Sequence, residues 1–225
     1  KLWDTRTGAC ACTLEGHTRR VRCLAVLSDG VTLASGTMYG AIKLWDTRTG
    51  ACACTLEGHT RRVRCLAVLS DGVTLASGTM YGAIKLWDTR TGACACTLEG
   101  HTDWVTCLAV LSDGSLASRS YDGTVKVWDT TTGDCIHTLR WNTHGKYYSR
   151  NTEGLAVLPD GSILSGAKNS TVKKNSIVKL WKRNKYMTPL LLMCMSRSKK
   201  AAQFVYNMGY ICHAINNYYF IGIYT

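Results

Sequence analysis

His101, Ser118 and Asp122 bring an imidazole, a hydroxyl and a carboxylate into one short stretch of a 225-residue chain. An imidazole set between a carboxylate and a serine is the grouping that activates a nucleophile for acyl transfer. That chemistry also needs the serine raised on a sharp turn such as GxSxG, and no GxSxG occurs in the sequence. A second candidate chemistry is metal ligation. Cys10/Cys12, Cys52/Cys54 and Cys94/Cys96 form CxC pairs, followed eleven residues on by Cys23, Cys65 and Cys107. A third is recognition of anions. The stretch GHTRRVRC, at Gly16 to Cys23 and Gly58 to Cys65, carries three arginines, which suit carboxylate and phosphate. At Gly100 to Cys107 the same stretch reads GHTDWVTC, with Asp103, Trp104 and Thr106 in the arginine places.

The elements that must position these groups repeat. Residues 1–60 are identical to residues 43–102, a period of 42 residues, which marks an architecture of stacked units. The copy from Lys85 is one residue shorter, and the copy from Lys126 drifts after Leu139. Within a unit, RCLAVL and LAS are short Val/Leu-rich runs around the turn Asp29-Gly30. AIKLWD alternates, as does CACTLE, which puts Cys52, Cys54 and Leu56 on one expected face. Four short strands with tight turns make one antiparallel sheet per unit. A lone sheet cannot bury both faces, so neighbouring sheets must stack.

Each unit opens on Gly-His and closes on Trp-Asp: His17 to Trp45-Asp46, His59 to Trp87-Asp88, and His101 to Trp128-Asp129. In this the chain resembles the WD-repeat family of β-propellers, strongly over 1–141 and weakly over 142–182. The resemblance implies an all-β fold, a partial or open propeller of about four blades of four-stranded antiparallel sheet, with a non-repeat C-terminal tail. The units are 17–58, 59–100, 101–141 and a degenerate 142–182, after a leading stub 1–16 and before a tail 183–225 expected to be irregular.

The family's buried network joins the opening His, a Ser of the second strand, a turn Asp and the closing Trp. His101, Ser118, Asp122 and Trp128 match it in full; Tyr39 and Tyr81 fall in the Asp place of the first two units. A lost charged acceptor costs about 1–3 kcal/mol unless replaced, with a phenol oxygen or water as substitute. The set is structural under this reading, and no catalytic residue is assigned. The CxC pairs would lie on outermost strands and Cys23, Cys65 and Cys107 on innermost ones, too far apart to share a zinc ion. No metal site or cofactor is expected. The family's partner-binding rim carries over to Arg20, Arg22 and Met38, to Arg62, Arg64 and Met80, and to Trp104, Thr106 and Tyr121.

The fourth unit departs from the pattern. RWNTHGKYYSRNTEG stands where Glu-Gly-His belongs, leaving His144 as a candidate for the His role, and Asn175 and Lys182 replace the turn and closing Asp. Its missing outer strand could come from the stub at Cys10 to Leu14, closing a strained four-bladed ring; part of a larger propeller or an open arc is the preferred alternative. The net charge of +12 resides mostly beyond residue 141, so it does not argue for a basic nucleic-acid-binding domain. Ala201 to Thr225 lacks charged residues over a length that could span a membrane. Gln203, Asn207, His213, Asn216 and Asn217 would be costly there, so neither membrane nor nucleic acid is an expected partner. The chain starts at Lys1 rather than Met and shows no signal peptide, which suggests an intracellular fragment with reduced cysteines, cytoplasmic or alternatively nuclear.

The expected function is a non-enzymatic scaffold that binds other proteins, acidic or phosphorylated peptides among them, on the rim. A decayed or partial repeat copy without selected function is the alternative, and a basic nucleic-acid-associated propeller the third. Open blade faces would also favour self-association.

Overall fold

The computed structural model describes residues 1–140, 154–168, 176–181, 189–190, 211–215 and 218–222, in two compact units, Lys1–Asn142 and Thr143–Thr225. The first unit opens with a hairpin of β1 (Leu2–Trp3) and β2 (Cys10–Cys12). Three antiparallel sheets follow, each with its four strands in chain order. The first sheet is β3 (Val21–Val26), β4 (Thr32–Thr37), β5 (Ile42–Asp46) and β6 (Cys52–Leu56). The second is β7 (Val63–Val68), β8 (Thr74–Thr79), β9 (Ile84–Asp88) and β10 (Cys94–Leu98). The third is β11 (Val105–Val110), β12 (Leu116–Ser120), β13 (Thr124–Trp128) and β14 (Cys135–Arg140).

Side-chain hydrogen bonds set the turns. Asp29 accepts the Val31 and Thr32 N–H groups and the Thr32 hydroxyl, tightening the β3–β4 connection. The Asp of each Trp-Asp pair caps the next turn: Asp46 Oδ1 accepts from the Arg48 N–H at 2.8 Å, and Asp88 and Asp129 repeat this with Arg90 and Thr131. These backbone N–H groups hold the three carboxyls below the usual Asp range.

Stacking buries both faces of the middle sheet. One apolar layer joins Ala34, Ile42, Leu44 and Leu56 of the first sheet to Val63, Leu75 and Trp87 of the second. The next joins Ala76, Ile84, Leu86 and Leu98 to Val105, Leu108, Leu116 and Trp128. Backbone and side chain meet closely at each seam. A Cβ built on Gly36 would stand 2.8 Å from Val63 Cγ1, and one on Gly78 would stand 2.6 Å from Val105 Cγ1, so only hydrogen fits.

Two expectations change. Cys52 does not share a face with Cys54 and Leu56, because the β5–β6 register shifts between the two cysteines. The bulge turns Cys52 toward Lys43 Nζ, 3.8 Å away, which also donates to Thr55 Oγ1 at 2.9 Å, while Cys54 packs on the core. The outer strand of the second unit's sheet, for which the stub was one candidate, is a local segment. In the second unit β15 (Leu155–Val157), β16 (Ile163–Lys168) and β17 (Ser176–Trp181) are completed by β18 (Pro189–Leu190). β2 pairs instead with β1, as β6 pairs with β5 in the identical sequence. A separate hairpin joins β19 (Ile211–Ile215) to β20 (Tyr218–Gly222). His144, Asn175 and Lys182 lie outside the described residues. Among the described residues no helix is long and apolar enough to cross a membrane.

Candidate partner-binding rim

The third blade assembles its polar network in full. His101 Nδ1 lies 2.7 Å from Asp122 Oδ2, and Nε2 lies 2.7 Å from Ser118 Oγ, which accepts the Trp128 indole N–H at 2.7 Å. With the Nδ1 proton directed at the carboxylate, Nε2 is the acceptor for the serine hydroxyl. Asp122 also accepts from the Thr102 and Thr124 N–H groups and the Thr124 hydroxyl. Burial works to raise the Asp122 pKa, but the hydrogen bond and electrostatic attraction of the His101 N–H, with Thr124 and Thr102, overcome it and hold it at about 2. Ser118 is buried and tied on both sides. Its oxygen has no approach for a substrate, so the group works as a structural clamp.

The first two blades keep the clamp without the carboxylate. His17 and His59 reach Ser35 and Ser77 at 2.6 and 2.7 Å, and Trp45 and Trp87 donate to the same oxygens at 2.7 Å. Ser35 and Ser77 also reach the Lys43 and Lys85 carbonyls at 3.5 and 3.3 Å, a second outlet for the hydroxyl proton. Burial, then the nearby lysine charge, lowers the pKa of His17 and brings that of His59 to about 4. The phenols do not stand in for the missing Asp. Tyr39 and Tyr81 are 65% and 61% exposed, and their rings lie 4.8 and 5.2 Å from the guanidinium carbons of Arg19 and Arg61. These two stacks escaped sequence reasoning, although a signal existed: the units with Tyr for Asp also carry Arg where the third carries Asp103.

The carried-over rim residues come together in register. The Met38 N–H donates to the Arg20 carbonyl, Met80 to Arg62, and Tyr121 to Trp104, at 3.2, 3.2 and 3.0 Å. Arg20 and Arg22 are exposed, while Arg62, Arg64, Met38, Met80, Trp104 and Tyr121 are half-buried. Thr106 is buried, its hydroxyl donating to the Arg119 carbonyl at 3.3 Å, which withdraws it from the surface. The second and third blades meet in a mixed cluster. Trp104 and Tyr121 stack with centroids 5.7 Å apart at 26°. The guanidinium carbon of Arg64 lies 5.1 Å from the Trp104 ring and 5.7 Å from that of Tyr121, and that of Arg62 lies 5.7 Å from Trp104. Stacking orients the planar cations against the rings, and guanidinium groups suit a carboxylate or phosphate.

The cysteines offer no comparable convergence. Among the described residues no group of three or more His, Cys, Asp or Glu side chains is gathered to hold a metal ion. Burial pushes the Cys23 thiol up to about 12 and that of Cys65 well above 9.0, which suits packing rather than ligation.

The family model for the WD domain, G-beta repeat, matches residues 8–46, 50–88 and 92–129. No curated protein matches the sequence. Among solved structures the chain is similar to one described as U3-55K (26% identity, TM-score 0.67), covering 79% of this chain and 53% of that one. It is similar in the same way to the RRP9 WD40 repeats (26%, TM-score 0.66), covering 79% and 52%. A third is the computationally designed Ika4 protein (31%, TM-score 0.62), covering 76% and 96%. The chain thus spans about half the length of the first two.

Proposed function

Because the chain belongs to the WD-repeat family of β-propellers, we propose that it is a non-catalytic scaffold whose rim binds acidic or phosphorylated peptides. The observation that carries this reading is the cluster of Arg62, Arg64, Trp104 and Tyr121. Two guanidinium groups fixed against two rings offer anion recognition at low side-chain entropy cost, next to aromatic area of the type that anchors interfaces. Arg20 and Arg22 extend the positive charge along the first blade, and Met38 and Met80 supply adaptable apolar contact. The buried Ser118 clamp supports the non-catalytic part of the reading.

The test is fluorescence anisotropy of a peptide carrying phosphoserine among acidic residues, beside its unphosphorylated form and a single-stranded oligonucleotide. Arg64→Ala and Trp104→Ala should each weaken phosphopeptide binding about tenfold, in line with loss of one charge-assisted anchor. Equal binding by wild type and both variants would remove the rim cluster as the site. Tighter binding of the oligonucleotide would favour the nucleic-acid reading instead.

A further inference from the structure

Each blade of the first unit carries the same three side chains across its last two strands. In the first blade Lys43 Nζ lies 3.8 Å from Cys52 Sγ and donates to Thr55 Oγ1 at 2.9 Å. Lys85, Cys94 and Thr97 repeat this at 3.8 and 2.9 Å, and Lys126, Cys135 and Thr138 at 3.9 and 2.9 Å. In the third blade Cys135 Sγ also lies 3.5 Å from Thr138 Oγ1, which closes the triangle. All three thiols are free and exposed, on the strand that ends the sheet.

A register shift builds the group. Along a regular strand, residues three apart point to opposite faces, so Cys135 would lie across the sheet from Thr138. The β13–β14 register shifts between Val127 and Trp128, with Lys126 facing Thr138 and Cys135 facing Trp128. The extra residue brings the thiol back to the lysine face. The β5–β6 and β9–β10 ladders shift at the same place. The first two blades are one sequence seen twice, and the third supplies the independent instance. It has Asp134, Ile136 and His137 where the others have Ala, Ala and Cys, yet it keeps the lysine, the first cysteine and the threonine.

We propose that each Cys–Lys pair is a self-modification site for small acyl thioesters, the cysteine being the first acceptor of the acyl group and the lysine the final one. The Cys135 thiolate attacks the thioester carbonyl, the donor's carbon–sulfur bond breaks, and the donor leaves as its thiol. The acyl carbon then stands one bond from Sγ, beside Nζ. The Lys126 amine, formed by loss of one ammonium proton to solvent, attacks that carbon. The bond to Cys135 Sγ breaks, an amide forms on Nζ, and the proton shed by the nitrogen goes to the departing thiolate. Cys135 is restored, and the step needs no oxidant and no metal. The Thr138 hydroxyl holds Nζ next to the sulfur, so an encounter with lysine in solution becomes an intramolecular transfer. Each pair reacts once, and each event removes one positive charge from the outer part of a blade.

Incubation of the whole chain with acetyl-coenzyme A in mildly alkaline buffer, followed by trypsin and mass spectrometry, tests the third blade. Ser120 to Arg140 is one tryptic peptide when Lys126 is acetylated, and it also holds Cys135, whereas the Lys43 and Lys85 peptides are identical in sequence. Hydroxylamine strips an acyl group from sulfur and leaves the amide. The wild type should gain a hydroxylamine-resistant acetyl group on Lys126 about tenfold faster than Cys135→Ser. Lys126→Arg should instead accumulate a hydroxylamine-sensitive acetyl group on Cys135. Reversible blocking of the wild-type thiols should slow Lys126 as Cys135→Ser does, and reduction should restore the rate, which separates thiol chemistry from any change of shape in the variant. Three outcomes would overturn the proposal: no acetyl group on wild-type Lys126, a Lys126 rate untouched by Cys135→Ser or by thiol blocking, or no acetyl group on Cys135 in Lys126→Arg.

Discussion

His59 Nε2 stands 2.7 Å from Ser77 Oγ, the same separation as His101 from Ser118, although only His101 has a carboxylate at its other nitrogen. The clamp geometry thus survives loss of its charged member. Serine and indole set the distance, and the carboxylate adds energy. Tyr81→Asp, which restores the Asp122 arrangement in the second blade, should therefore stabilise the protein by roughly 1–2 kcal/mol. That gain is net of the exposed Arg61–Tyr81 stack, which contributes on the order of 0.5–1 kcal/mol. A urea midpoint that fails to rise would show that the blade has relaxed around the tyrosine.

Acid should weaken the fold in two steps, and the sign follows from the direction of the shifts. The His59 pKa falls from 6.5 to about 4 in the folded chain. Between those values the unfolded chain binds a proton that the folded chain refuses, so stability is complete above pH 6.5 and drains away as pH falls toward 4. The full shift corresponds to roughly 3 kcal/mol as an upper bound. Asp122, lowered from 3.8 to about 2, adds a second loss below pH 3.8. Urea midpoints at pH 7, 5 and 4 give the first slope, and NMR titration of His59 locates its midpoint. A His59 midpoint near 6.5 would contradict the burial that causes the shift.

Much of this was legible in the sequence because repetition separates constant positions from variable ones. Val21, Val63 and Val105 stay fixed while their neighbours change, and the buried Val63 and Val105 show why. Arg62, Met80, Trp104 and Tyr121 are singled out only through the family resemblance, and backbone bonds join Arg62 to Met80 and Trp104 to Tyr121. The reach of Arg64 onto Trp104 crosses between blades, and no spacing within one unit encodes a contact between two. The bulge at Cys52 leaves no mark in CACTL, which alternates as a regular strand would. β18 is two residues, Pro189 and Leu190, too short for any periodicity to reveal.

The seam glycines make a steric prediction at the second seam. Gly78 has an ordinary strand backbone, so the cost of Gly78→Ala is space rather than torsion. A methyl group there would meet Val105 Cγ1 and Cys65 Sγ at 2.6 and 2.7 Å, both buried and held by the layer around them. Overpacking of this kind costs about 1–3 kcal/mol. Adding Val105→Ala should recover part of that loss, because it removes the colliding methyl groups. Additive losses in the double variant, read from thermal melts, would mean that the two residues do not share the seam.

The buried clamp and the surface ion pairs should differ sharply in worth. Arg90 and Asp88 are 3.5 Å apart with the arginine side chain 71% exposed. Solvent and salt screen such a pair, and Arg90→Ala should change stability by less than about 0.5 kcal/mol. Ser118→Ala is a smaller change in volume, yet it strands the Trp128 indole N–H and His101 Nε2 in the interior together. Leaving buried polar groups unpaired costs about 1–3 kcal/mol each, so Ser118→Ala should lower the melting temperature by several degrees where Arg90→Ala moves it little. A Ser118→Ala protein as stable as wild type would mean that water reaches the site, and the clamp would then lose its structural role.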